Sequence, residues 1–226
     1  MCRAAEKRRA NAMKRIKIII PSVAFACFAR HLKFEACVTG KIGLIHFMQS
    51  DRRIANLALI GFMGAGKTSV GRLVAEQLHF DYLDTDELIV SRAGRTIAEI
   101  FKTDGEPAFR ALECQTVGEL TNRTKTVIAT GGGLPVNPAN LASLKTHALV
   151  VCLWASPEKI WERVKNQTHR PLLHDPDPQK KIRELLAARE PFYKQADVLI
   201  NTDLRSVREA AQQVALQFKL ATRHRR

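Results

Sequence analysis

From Arg53 onward the spacing of apolar residues switches repeatedly between two periods. Leu57–Ile60 is an unbroken apolar run that stops at Gly61, the pattern of a strand buried on both faces. Val70, Leu73, Val74 and Leu78 then recur at helical spacing, which predicts a helix over Ser69–Leu78. Phe80–Leu83 reads as a second strand, ending in Asp84-Thr85-Asp86. Residues 87–101 and 106–121 carry helical patterns on either side of a polar turn at Thr103–Gly105. Thr126–Thr130 predicts a third strand, running into Gly131-Gly132-Gly133, and Ala148–Trp154 a fourth. Ser156-Pro157 supplies a cap and a first-turn proline for a helix to about Lys165. Residues 166–178 are polar, contain three prolines, and form a long loop. A helix over 179–195, a fifth strand at Val198–Ile200 and a last helix over 205–219 complete the chain.

Strands alternating with helices predict an α/β domain over residues 51–220. Its five-stranded parallel sheet is flanked by helices in three layers. In such sheets ligands bind beyond the C-terminal strand ends. Four polar or glycine-rich segments fall at those ends: the loop after the first strand, the Asp pair, the triple glycine and the Asn201–Arg205 turn.

The first of these reads Gly61-Phe62-Met63-Gly64-Ala65-Gly66-Lys67-Thr68 and fits G-x-x-x-x-G-K-[ST]. Its glycines let backbone N–H groups turn inward around phosphate oxygens, and the helix that follows adds its positive end. Lys67 can reach the outer phosphates of a nucleotide and the Thr68 hydroxyl can bind Mg²⁺. Asp84 and Asp86, at i and i+2, point the same way if the segment is extended. One could serve Mg²⁺ through water and the other could accept a hydrogen bond, and a proton, from a substrate hydroxyl. The bland alternative is that Asp86 caps a helix starting at Glu87. Three glycines in succession suit a main chain that must approach a ligand closely, or a flexible turn. Arg110 could pair with Glu113 or face a ligand. Arg170, in the long loop, could neutralise charge on a transferring phosphoryl group or be merely solvated. Arg189 could clamp a carboxylate or pair with Glu190.

The motifs occur in a fixed order: the glycine loop, Asp84-x-Asp86, Phe109-Arg110, the triple glycine, Arg170-Pro-Leu-Leu, and Arg189-x-Pro-x-Tyr193. From about residue 53 to 215 the chain therefore resembles the shikimate kinase family, in the nucleoside-monophosphate-kinase-like branch of P-loop proteins. The resemblance implies a three-layer P-loop kinase with a mobile lid at about 166–178. Its reaction is ATP-dependent phosphorylation of shikimate to shikimate 3-phosphate, on the route to aromatic amino acids. It implies that Gly64, Ala65, Gly66, Lys67, Thr68 and Ser69 hold the ATP phosphates, with Mg²⁺ on Thr68 and Asp84. Asp86 then binds the ring hydroxyls, Arg110 and Arg189 the carboxylate, and Gly133 a direct substrate contact. Arg170 would sit on the lid and touch both substrates, with Lys67, Asp86 and Arg170 forming the catalytic set. Arg163 and Arg205 fall near the nucleotide, Arg205 on its adenine side. The rival acceptors are gluconate and a nucleoside monophosphate. A regulator or pseudo-kinase reading would need a lost catalytic group, and Lys67, Thr68, Asp84, Asp86 and Arg170 are all present.

Charge alters this picture little. The formal net charge is +14, but residues 1–50 hold ten Lys/Arg against two Asp/Glu, and Arg223, Arg225 and Arg226 crowd the C-terminal tip. The body is only mildly basic, which argues against a nucleic-acid partner. Residues 1–50 combine a basic start with the apolar run Ile18–Ala29, too short to span a bilayer comfortably. A secretory-type leader, an organellar targeting segment and a true start at Met48 all fit. Secretion conflicts with dependence on ATP, so a cytoplasmic enzyme is expected, with organellar targeting the alternative. The five cysteines match no metal or redox motif and read as reduced thiols, with Cys152 in a core strand. The body carries no heptad seam, and a monomer without stable membrane association is expected.

Overall fold

The computed structural model describes residues 52–166 and 175–223. The N-terminal extension, Arg170 with most of the proposed lid, His169, His174 and the last three residues lie outside that range. Five strands follow one another as β1 (Asn56–Ile60), β2 (Asp81–Asp84), β3 (Thr126–Ala129), β4 (Ala148–Trp154) and β5 (Val198–Asn201). They form one parallel sheet in the order β2-β3-β1-β4-β5. β1 is central, and the chain leaves it toward the β2 edge while β4 leads to the β5 edge. The connections that leave the C-terminal ends of β1 and β4 therefore run in opposite directions, leaving a crevice where ligands bind in such sheets.

Among the described residues eight helices cover the faces: α1 (Lys67–Leu78), α2 (Thr85–Ala93), α3 (Ile97–Thr103), α4 (Gly105–Leu120), α5 (Pro138–His147), α6 (Pro157–Val164), α7 (Pro178–Tyr193) and α8 (Val207–Arg223). Side-chain alternation on β1 divides the core. Leu57 and Leu59 join Val70, Val74, Val214 and Phe218 beneath α1 and α8. Ala58 and Ile60 join Val117, Leu144, Ile160 and Tyr193 on the opposite face, beneath α4 to α7. Cys152 is buried in β4, and Trp154 and Trp161 pack against this second cluster. Ile89, Ile100 and Phe109 form a satellite cluster joining α2, α3 and α4.

Three expectations change. The single helix over 87–101 is two helices. Gly94 closes α2 at φ 62, and Thr96 opens α3 with a capping box, its hydroxyl meeting the Glu99 N–H while Glu99 reaches back to the Thr96 N–H at 2.7 Å. The stretch after the triple glycine contains a short 3₁₀ turn at Leu134–Val136 and then α5, capped by Asn137 and opened by Pro138. The helix after the glycine loop starts at Lys67, two residues early, so Lys67 and Thr68 occupy its first turn. Among the described residues no helix is long and apolar enough to cross a membrane.

The N-terminal end of the sheet is held by Asn56. Its Oδ1 accepts from the Thr126 N–H at 3.0 Å, which fixes its Nδ2 as a donor to Arg123 O at 2.6 Å and His147 Nδ1 at 2.9 Å. His147 is therefore neutral with its proton on Nε2, and burial lowers its pKa. Above the ordinary value of about 6.5 both folded and unfolded chains hold this group neutral. As pH falls below that value, the unfolded chain takes up a proton that the folded one resists, and stability is lost. The urea midpoint should therefore fall between about pH 7 and pH 5, with this residue supplying at most about 1.4 kcal/mol per pH unit. His147→Gln keeps an acceptor for Asn56 but does not titrate, so its slope should be shallower. Equal slopes in the two proteins would contradict the assignment.

Candidate active site

The loop between β1 and α1 carries Gly64 at φ 74 and Gly66 at φ 97. Gly66 occupies the α1 cap position without a side-chain cap, so first-turn N–H groups face outward as they do at anion sites. Lys67 Nζ donates to the carbonyls of Gly61 and Phe62, each at 2.9 Å, which lays the ammonium along the loop. A cavity of about 440 Å³ opens over this loop. It is lined by Gly64, Ala65, Gly66, Lys67, Thr68 and Ser69, by Asp84 and Asp86, and by Arg163, Thr202 and Arg205 from the far side. Every residue expected to hold the nucleotide, apart from the undescribed Arg170, thus borders one space.

Arg163 holds that space together. Its guanidinium donates to Gly64 O at 3.1 Å, Thr202 Oγ1 at 3.1 Å and Thr202 O at 2.6 Å, tying the glycine loop to the turn after β5. Arg205 donates to Asn201 O and is otherwise exposed at the cavity's edge.

The two aspartates do not share an extended segment. Asp84 ends β2 and is the α2 cap, its Oδ1 accepting from the Asp86 N–H at 3.0 Å, so Asp86 lies in the first helical turn. The expected capping alternative holds for Asp84 rather than Asp86. Asp84 Oδ2 accepts from Thr68 Oγ1 and from the Tyr82 hydroxyl, both at 3.4 Å. Burial and the neighbouring Asp84 push the Tyr82 hydroxyl up to about 12, so it stays a donor at neutral pH. Thr68 and Asp84 together present hard oxygen ligands beside the phosphate loop, a donor set that fits Mg²⁺ completed by water and phosphate oxygens. Among the described residues no larger His/Cys/Asp/Glu cluster could hold a metal.

Around the triple glycine the remaining candidates converge. A Cβ on Gly131 would stand 2.6 Å from Asp86 Oδ1 and 3.3 Å from Glu113 Oε1. A Cβ on Gly133 would stand 2.7 Å from Arg110 Nη1, and one on Gly132 3.6 Å from Arg189 Nη1. Glycine at 131 and 133 is therefore what lets Asp86 and Arg110 close on one stretch of backbone, with Arg189 at ordinary contact distance from Gly132. Thr85, buried between the aspartates, accepts from the Gly131 N–H at 3.0 Å and locks that stretch to β2.

Glu113 was expected only as a helical partner of Arg110. It does pair with Arg110 at 2.7 Å, yet it is 1% exposed and also feels Arg189. Burial pushes its carboxyl up while the two arginines pull it down, and burial wins. It is the buried counter-charge of the arginine pair. Arg110 is shared with the exposed Glu106, at 2.7 Å. Arg189 stacks over Phe62 at 5.5 Å, and its expected rival partner Glu190 instead pairs with Lys194 at 2.8 Å. Arg110 and Arg189 do not line the nucleotide cavity; Asp86 and Gly132 border both regions. Glu113, Thr85, Thr202 and Tyr193 border the site without having been given a role from sequence, although Thr85, Thr202 and Tyr193 fall inside segments already singled out and Glu113 at the Arg110/Glu113 interval.

Comparison with known proteins agrees with this geometry. The family model described as "Shikimate kinase" matches residues 63–219. A shikimate kinase of Caldanaerobacter subterraneus subsp. tengcongensis is 45% identical over 159 residues, 70% of this chain and 93% of that protein. One from Thermodesulfovibrio yellowstonii is 43% identical over 164 residues, 73% of this chain and 95% of that protein. The solved structure of shikimate kinase from Acinetobacter baumannii in complex with shikimate superposes with a TM-score of 0.70 at 40% identity, over 74% of this chain and 94% of that one.

Gly133→Ala tests the glycine run. Its methyl would meet only the flexible tip of Arg110. The thermal midpoint should stay within about 4 °C of wild type, the shift set by about 1 kcal/mol. A carboxylate acceptor should bind about tenfold more weakly by calorimetry, the loss of one charged hydrogen bond. Unchanged acceptor binding would show that Arg110 works elsewhere.

Proposed function

The chain belongs to the shikimate kinase family, and from that premise we propose that it transfers the γ-phosphoryl group of ATP to the 3-hydroxyl of shikimate. The products are shikimate 3-phosphate and ADP, on the route to chorismate and the aromatic amino acids. The observation that carries the reading is the meeting of one carboxylate, Asp86, with two arginines, Arg110 and Arg189, over the triple glycine at the mouth of the phosphate loop. A polyhydroxylated acid needs both kinds of partner: an acceptor for its hydroxyls and fixed cations for its carboxylate.

In this reading Gly64 to Ser69 receive the phosphates on backbone N–H groups, and Lys67 moves from its loop carbonyls to the outer phosphates. Thr68 and Asp84 hold Mg²⁺, which when bound spreads the developing charge of the phosphoryl group. Arg205 and Arg163 flank the nucleotide at the far wall of the cavity. Arg110 and Arg189 clamp the substrate carboxylate, Gly133 touches the ring, and Asp86 orients the attacking hydroxyl as the carboxylate to which its proton can pass. The hydroxyl oxygen forms its bond to the γ-phosphorus as the bond to ADP breaks. Arg170, assigned from its motif, neutralises the charge in flight. Catalysis is then mainly positioning and charge compensation. Partners are small molecules acting on a single copy of the chain in a cytoplasmic setting.

A coupled ADP-release assay on the full chain with MgATP tests this against a panel of shikimate, quinate, gluconate and nucleoside monophosphates. Turnover is expected with shikimate. Asp86→Asn should lower kcat by about 10²-fold or more. Arg189→Ala should raise the shikimate KM by about tenfold or more, from loss of a charged hydrogen-bond partner. Turnover with a monophosphate in place of shikimate would contradict the substrate and make both arginines phosphate ligands.

A further inference from the structure

The division of labour above leaves Tyr193 of the Arg189-x-Pro-x-Tyr193 motif without a task. Tyr193 lies one helical turn beyond Arg189 on α7 and is 1% exposed. Its hydroxyl donates to Gly132 O at 2.7 Å, and the Arg189 guanidinium sits beside the same hydroxyl. Burial pushes this phenol well above its usual range, so it remains a donor at every pH at which the protein works.

That carbonyl belongs to the same peptide unit as the Gly133 N–H. The unit is planar and trans, so carbonyl and N–H point in opposite directions. Pinning the carbonyl on α7 turns the Gly133 N–H away from it. Among the described residues this N–H has no hydrogen-bond partner, so it is a donor still to be used. Gly133 itself lies against the Arg110 guanidinium. Glycine on both sides of the peptide leaves its orientation nearly undetermined by local sterics, because no Cβ biases the flanking torsions. The neighbouring peptides have their own anchors, Gly131 N–H on Thr85 and Gly131 O under the Leu134 N–H at 3.2 Å. Tyr193 supplies the anchor for the peptide between Gly132 and Gly133.

We propose that Tyr193 is a positioning residue for the acceptor: it holds the Gly132–Gly133 peptide so that its N–H faces the substrate gripped by Asp86, Arg110 and Arg189. The inference rests on the proposed function. It also explains why Arg189 and Tyr193 sit one turn apart, since the helix that brings the carboxylate clamp also fixes the backbone donor opposite it.

The test compares wild type, Tyr193→Phe and Ile182→Val in the full chain, with KM for shikimate, KM for MgATP, kcat and thermal midpoint measured for each. Phenylalanine keeps the ring in its packing and removes only the hydroxyl. Ile182 is a buried α7 residue in the same core, so its variant reports loosening of the helix without a change at Gly132. Tyr193→Phe should raise the shikimate KM about five- to tenfold with KM for MgATP within about twofold, as expected for one misaligned hydrogen-bond donor. Ile182→Val should leave both constants near wild type. A Tyr193→Phe enzyme with the wild-type shikimate KM overturns the inference alone. So does a rise in both constants that Ile182→Val reproduces, since that reports only a loosened helix. A wild-type chain that does not turn over shikimate overturns the proposed function and this inference with it.

Discussion

The site depends on the register of three parallel strands. β1 pairs with β3 so that Leu59 stands opposite Ala129, and β3 pairs with β2 so that the same Ala129 stands opposite Asp84. The first residues past these strands therefore emerge at one level: the glycine loop after Ile60, the triple glycine after Thr130, and Thr85-Asp86 after Asp84. Side chains alternate across a strand, so a slip of one residue would exchange the two faces of β1 and carry Leu57 and Leu59 out of the α1/α8 core. The apolar burial that fixes the fold is thus the same constraint that sets Asp86 against Gly131 and the phosphate loop against Asp84. Thr85, Thr130 and Arg163 refine that placement with hydrogen bonds running from one strand end to the next.

The second constraint is charge. Two arginines close to one stretch of backbone repel each other. Glu113, buried and paired with Arg110, also feels the charge of Arg189, and Glu106 shares Arg110 at the surface. Gly131 and Gly133 serve the same end from the backbone side, since a Cβ at either would collide with Asp86 or Arg110.

Much of this was legible in the chain. The five strands stood out because each is a short apolar run stopped by glycine or a polar turn. The phosphate loop combined a fixed spacing with a strand before it and a helix after it. The misses have physical causes. The break between α2 and α3 carried the signals of Gly94 and the Thr96-x-x-Glu99 box, but a continuous apolar period across them masked both. The cap and proline of Asn137-Pro138 match those of Ser156-Pro157, yet α5 has few apolar positions to announce it. The geometry of the Asp pair could not be read from spacing, because whether i and i+2 share a face depends on where β2 ends, and it ends between them. Glu113 and Tyr193 reveal their roles only through burial and through a contact across 61 residues of sequence.

If one acceptor is held between Asp86 and the arginine pair while its reactive hydroxyl faces the phosphate loop, the bound ligand lies over the triple glycine. The most direct measurement is a crystal structure of the full chain with shikimate and MgADP bound. The carboxylate is expected between Arg110 and Arg189, with a ring hydroxyl on Asp86 and the Gly133 N–H against the ligand. Shikimate bound away from the triple glycine, or with its carboxylate on Lys67 and the loop N–H groups, would contradict it.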